Sequence, residues 1–305
     1  MGEKCAEFAL RAVAVTSIAA IVLIVAFIAR EALPVFAGTG VTEGGEPLIL
    51  LTPTPLPDGS EQFLWQPVSQ PPKFNIVPLV VGSLKVTLVS LLIAAPLGIA
   101  AAIYVSELCG KRQRELIKPT IELLAGIPSV VVGFFALIVL ATWVQRAFGT
   151  EHRLNTLLAG IGLAMAVCPV IFTVSEDALQ AVPRTYRTAA LALGSDRVQM
   201  IARVVVPAAL PGILASLVLG FGRAIGETMI VLLASGNASL VSGSLGLSTR
   251  TITATIAQEL GEVVVGSAHY RVLFSLGAIL FASTFVLNSA GERVIHGLRK
   301  KLGTA

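Results

Sequence analysis

Apolar residues run through this chain of 305 residues in long, nearly uninterrupted blocks, not in strand-like alternation or in narrow helical stripes. Six blocks are long enough to cross roughly 30 Å of hydrocarbon, which takes about 20 helical residues. They are Ala12–Ala29, Val77–Val105, Ile121–Val144, Leu154–Ser175, Pro211–Ser235 and Val272–Ala290. The pattern predicts an all-α polytopic membrane protein with six transmembrane helices. Composition agrees: 55% of residues are hydrophobic and 13% are charged, against about 25% charged in a typical soluble domain. The first block could also be read as a signal peptide. Its length and the lack of a small-x-small site before Arg30-Glu31 favour a retained helix.

The polar segments between the blocks set the orientation. With the N-terminus inside, fourteen Lys and Arg fall in inside segments, six in outside segments and two, Lys85 and Arg223, within spans. Excess Lys and Arg mark the cytoplasmic side, so both termini are expected there. The expected organisation is an N-terminal segment with the first helix (1–33), an external loop (34–76), a five-helix core (77–292) and a basic cytoplasmic tail (293–305). The external loop holds eight of the sixteen prolines, which prevents a long helix. A spacer and a docking surface for an external partner both fit it.

The inside segment 176–210 differs from the other loops. Pro183–Leu193 suits a short helix with proline in its first turn. Gly194-Ser195-Asp196 then reads as a glycine stop followed by a new N-cap. Val198–Val206 resumes an apolar helix that ends at Pro207. Two short helices joined at a glycine form a compact element suited to a groove in another protein.

Arg223 sits near the middle of the fifth block, roughly 18 Å from either end at 1.5 Å per residue. An arginine at that depth costs at least about 2.5–3.5 kcal/mol on insertion scales. It therefore needs protein, water or an anion beside it. Glu227 follows four residues later, on the same face of a continuous helix. Either the two form a self-neutralising structural pair, or Arg223 faces an aqueous path. On a path, its planar donors suit a passing oxyanion. Thr228 lies beside them. Gly220, Gly222 and Gly226 make a small face suited to close packing against another helix, of this chain or of a partner subunit. Lys85, Glu107, Glu122, Glu259 and Glu262 near the membrane are read as structural, with Lys85 and Glu122 snorkelling from span ends.

Several chemistries are excluded. Basic residues are scattered in short clusters, unlike a nucleic-acid face. There is no G-x-x-x-x-G-K-[ST], no H-E-x-x-H and no G-x-S-x-G. Cys5, Cys109 and Cys168 match no metal or redox spacing. The chain is expected to carry no catalytic site, metal or cofactor of its own.

Two segments carry a resemblance. Thr188-Ala189-Ala190-x-x-x-Gly194, with Val204, Val206 and Pro207 after it, resembles the E-A-A-x3-G-x9-I-x-L-P loop of ABC-importer permeases, with Thr188 in place of the acidic residue. Gly222-Arg-Ala-Ile-Gly-Glu-Thr-Met229 resembles the G-R-A-[IL]-G-E-T-M motif of C-type permeases of phosphate-specific importers. Glu122–Ser129 with Gly133, and Ser248–Glu262, are similar to the same subunit. The resemblance implies a type I ABC-importer permease architecture in a prokaryotic inner membrane. It implies coupling to an ATPase through Thr188, Ala189, Ala190, Gly194, Ser195, Asp196 and Pro207, and a phosphate path at Arg223, Glu227 and Thr228. It further implies an A-type permease partner, two ATPase subunits holding ATP and Mg, and an external phosphate-binding protein. A related oxyanion importer and a non-transporting membrane sensor or anchor are the alternative readings.

Overall fold

The computed structural model describes residues 2–38, 50–55 and 61–302; the side chains of 2–6, 8–9, 299 and 301–302 lie outside the description. Part of the proline-rich loop (39–49 and 56–60), Cys5 and Lys4 therefore fall outside it. Among the described residues six helices are long and apolar enough to span a membrane, and each overlaps one of the six predicted blocks. The chain divides into two compact units, 1–76 with 255–282 and 77–254 with 283–305.

In the first unit, α1 (Gly2–Phe36) passes through Pro34 and presents Leu10, Val13, Ile18 and Leu23 to the outside. Such an apolar surface requires lipid or another protein as its solvent. Phe27 packs edge-on against Phe274, and Ser275 donates to the Ala32 carbonyl. The loop after α1 forms two short antiparallel pairs, β1 (Thr54–Pro55) with β2 (Glu61–Gln62) and β3 (Trp65–Gln66) with β4 (Lys73–Phe74). The Trp65 indole donates to Glu259, which also bonds His269 at 2.8 Å. Glu259 is thus a tie for the loop, consistent with a structural role.

The second unit is built around α6 (Thr156–Ala181), whose Asn155 cap accepts the Leu158 N–H. Against it lie α2 (Val77–Ile103, extended by a π turn to Leu108) and α9 (Val206–Ile225). Without a hydrophobic drive between helices in lipid, close approach relies on small residues. A Cβ on Gly160 would stand 2.3 Å from Val89 Cγ1; one on Gly220 would stand 2.8 Å from Ile171 Cγ1. Gly212 meets Ala178 in the same way.

Two predicted spans differ most in their boundaries. The third does not begin at Ile121 as an unbroken helix. Lys111–Ala125 forms the amphipathic helix α3, the chain breaks at Gly126–Pro128, and the span proper is Ser129–Phe148, made of α4 (Ser129–Phe135), a π turn and α5 (Ala141–Phe148). Pro128 lacks an N–H and holds the preceding residue out of the helical region. The fifth span is shifted toward the N-terminus: the helix expected to end at Pro207 runs on into it, and it ends at Ile225, short of Ser235. α8 (Arg197–Met200) continues through a π turn at Ile201–Val205 into α9. The wider π turn lets the chain pass Pro207.

Replacing Gly160 with Ala should destabilise the bundle by about 1–3 kcal/mol, because the new methyl meets a β-branched side chain that cannot swing away. Gly243→Ala, which enters open space, should leave the melting temperature in detergent unchanged.

Candidate functional site

The region around Arg223 is shaped by an interruption in the fifth span. α9 ends at Ile225, Gly226 caps it, and a new short helix, α10 (Met229–Ala234), starts after Thr228. Irregular backbone at membrane depth is tolerated only where its polar groups are satisfied or line a cavity. Here the Glu227 carboxylate accepts the N–H groups of Thr228 (3.1 Å) and Met229 (3.2 Å). The Glu227 carbonyl accepts from the Thr253 hydroxyl at 2.8 Å. Thr253 belongs to α11 (Ile252–Glu259), and the Ile252 N–H is taken by Ser83. The Thr228 hydroxyl bonds the Gly226 carbonyl at 3.4 Å.

This geometry changes the relation between the two charges. Arg223 and Glu227 are not one turn apart on a continuous helix, since the helix stops between them. Arg223 is exposed on the chain and makes no hydrogen bond or ion pair among the described residues. Its neighbour Ala224 points into the core. Gly220, one turn earlier, lies against Ile171 and Val167 near the middle of the 26-residue α6. The guanidinium therefore emerges from the last turn of α9, close to the level of the middle of α6, on the side away from the core. Among the three glycines, Gly220 packs against α6, Gly222 faces Asn288 at ordinary contact distance, and Gly226 meets only its own helix.

The second break stands beside the first. A Cβ on Gly133 would lie 3.0 Å from the Ile230 Cα and from the Met229 carbonyl. α4 and α10, each opening just after a break, thus run side by side. Hydropathy alone missed this pairing; the Gly126-Ile127-Pro128 and Gly226 interruptions at two similarly placed blocks were its signal. The segment between α10 and α11 is tied down by Lys85, whose ammonium donates to the carbonyls of Ser242 (2.7 Å) and Ser244 (2.8 Å). Lys85 bonds protein and does not snorkel.

At the other end of the unit, α7 (Arg184–Ala192) and α8 meet at Gly194, where φ is +85°. That left-handed conformation favours glycine. Asp196 caps α8 by accepting the Gln199 N–H at 2.7 Å. Thr188, Ala189, Gly194 and Asp196 are exposed, Ser195 is half-buried, and Ala190 is buried. Tyr186, Leu191, Leu193 and Val198 form an exposed apolar surface around them, Leu193 at 88% exposure. Pro207 lies inside the continuing helix, further along.

Ion pairs attach this element to the bundle. Arg187 donates to Glu107 at 2.6 and 3.1 Å and to the carbonyls of Val182 and Leu179. Glu176, expected in the loop, is instead a fully buried residue of α6. It accepts Arg114 and Lys118, each at 2.7 Å, and Gln180. Hydrogen bonding to Glu176 pushes the Lys118 ammonium above its ordinary range, outweighing its partial burial. That contribution is present below about pH 10.5 and is lost as pH rises through the elevated value.

Two adjacent broken spans, an exposed arginine level with the middle of α6 and an exposed helix pair at one end fit a membrane transport subunit. Residues 94–300 match the family described as binding-protein-dependent transport system inner membrane component, and the chain belongs to that family. It is a multi-pass inner-membrane protein and a transport component, not an enzyme. It is 37% identical over 278 residues to the probable ABC transporter permease protein YqgH of Bacillus subtilis, covering 90% of this chain and 85% of that protein. It is 35% identical over 307 residues to the phosphate transport system permease protein PstC of Mesorhizobium japonicum, covering 94% and 90%. Its fold is similar to the MetNI methionine ABC transporter in an inward-facing form (TM-score 0.54, 15% identity, 73% of this chain and 94% of that one). It is also similar to a bacterial ABC transporter importing alginate (TM-score 0.55, 17% identity, 72% and 78%). The resemblance carried by the Thr188–Pro207 and Gly222–Met229 segments thus extends over most of the chain. The family implies an ATPase partner and a substrate-binding partner.

Arg187→Met would leave the Glu107 carboxylate, 5% exposed, without its cation. Removing one member of a buried pair costs about 3–5 kcal/mol. A lower unfolding temperature and faster proteolysis of the 182–195 segment are the expected results.

Proposed function

We propose that this chain is the C-type membrane subunit of an ATP-driven importer of inorganic phosphate, and that Arg223 contacts the anion in transit. The observation that carries this reading is the exposed Arg223 guanidinium, without an acceptor among the described residues, beside the interrupted span. A permanently cationic group at that depth is expensive unless water or an anion meets it. The similarity to relatives named as phosphate permeases supports the identity of that anion.

Glu227 serves the path indirectly. By binding the first N–H groups of α10 it keeps the break open and offsets part of the positive charge, so the anion is held weakly enough to leave. Thr228 and Thr253 hold the backbone on either side of it. An A-type permease subunit would supply the facing half of the path. The exposed α7–Gly194–α8 element would sit on the cytoplasmic side and dock into one of two ATPase subunits that hold ATP and Mg, its apolar surface formed by Leu191, Leu193 and Val198. Closure of the ATPase pair would push α7, and α8 would transmit the movement along its continuous helix to Arg223. An external phosphate-binding protein would deliver the anion. This chain breaks no bonds itself.

Arg223→Lys keeps the charge and loses the bidentate fork. Labelled-phosphate uptake by vesicles containing the complete importer should fall about tenfold or more. Wild-type uptake in that variant would contradict the path assignment. Independently, a photocrosslinker at Leu193 should reach the ATPase subunit; products only with lipid or its own chain would refute the docking assignment.

A further inference from the structure

A polar cavity of about 390 Å³ lies at the α7 end of the second unit, between the end of α2, α3, the end of α6 and α7. Arg114, Arg184, Arg187, Gln180, Ser106 and Thr188 line it, with Glu107 at one wall. The cations of this cavity are not equally engaged. Arg187 is saturated by Glu107 and two carbonyls. Arg114 uses one terminal nitrogen on Glu176 and keeps 32% of its side chain exposed. Arg184 is exposed, and its guanidinium makes no hydrogen bond or ion pair among the described residues. Glu107, the carboxylate on the wall, is already engaged by Arg187 and Ser106.

Donors therefore exceed acceptors in this cavity. Two arginines with spare N–H groups face a space that lacks a free anion of its own among the described residues; the Gln180 amide already gives an N–H to Glu176, and the Thr188 hydroxyl donates to the Arg184 and Thr185 carbonyls. A ligand that satisfies them must be compact, anionic and rich in acceptors, which describes a phosphoryl group. The walls belong to three different elements: α7 carries Arg184 and Thr188, α3 carries Arg114, and the turn after α2 carries Ser106. An anion held between Arg184 and Arg114 ties α7 to α3.

We propose that this cavity binds a phosphoryl anion, separate from the path at Arg223, and that its occupancy restrains α7. The anion chemistry rests on the cavity alone; only the regulatory consequence rests on the transport reading. Free inorganic phosphate and the headgroup of an anionic phospholipid share this chemistry.

Hydrogen–deuterium exchange of the complete importer, nucleotide-free in phosphatidylcholine discs, tests the proposal and requires no transport. Inorganic phosphate should slow exchange in 104–114 and 180–188, whereas sodium chloride at the same ionic strength should not. Arg184→Gln should shift the phosphate dependence to about tenfold higher concentration or beyond, the loss of a charge-assisted bond, and Arg184→Lys should recover part of it. Slowing in discs containing phosphatidylglycerol without added phosphate assigns the site to the headgroup; slowing with phosphate alone assigns it to the free anion. Two results overturn the proposal: no change with phosphate or phosphatidylglycerol, as when an ATPase side chain fills the cavity, and an unaltered response in Arg184→Gln. A transport-inactive importer that still shows the slowing would separate this site from the path at Arg223.

Discussion

The Glu227 carboxylate, bound to the N–H groups of Thr228 and Met229, is the interaction on which the rest of the site depends. In hydrocarbon an unsatisfied backbone N–H costs several kcal/mol. A span can be cut at mid-depth only if something local replaces the lost helical bonds. Glu227 does this from within the cut, and Thr253 secures the carbonyl on its other side. Both backbone bonds fall on Oε1, and neither oxygen of the carboxylate is bonded to Arg223 in this arrangement. The break thus separates the two charges that a continuous helix would have placed one turn apart.

The break also explains the packing around it. α10 can turn away from α9 and lie against α4, where Gly133 admits the Ile230 backbone. Lys85 then holds the following segment by two carbonyls. At the far end, charge pairs serve the opposite purpose. Glu107–Arg187 and the Glu176 cluster fasten α7 and α3 to the long helices. Under the proposed transport reading, a rigid attachment there and an irregular backbone further along the helix would suit a lever acting on a gate.

Much of this was legible in the chain. Blocks of about 20 apolar residues identified the six spans, because lipid imposes that length. Gly194 and Asp196 were readable as a stop and a cap, since few residues tolerate a positive φ or offer a side-chain acceptor at that point. What hydropathy could not show were the interruptions. Gly226–Thr228 is as apolar in its surroundings as a continuous helix, so Arg223 and Glu227 read as an i,i+4 pair. Pro207 read as a stop because the π turn that accommodates it has no residue signature. Glu176 read as a loop residue because its three partners lie on α3 and on the next turn of its own helix. Long-range pairing of this kind leaves no local pattern.

The central claim is that position 223 is wetted and open to an anion within the assembled importer. Its most direct measurement is thiol accessibility of Arg223→Cys in a background with Cys5, Cys109 and Cys168 replaced by serine. A membrane-impermeant cationic methanethiosulfonate reagent should label that cysteine in at least one nucleotide state, and inorganic phosphate should slow the labelling. A cysteine that stays unlabelled in every nucleotide state would mean that the guanidinium is sealed within protein or lipid, and the path through this chain would lie elsewhere.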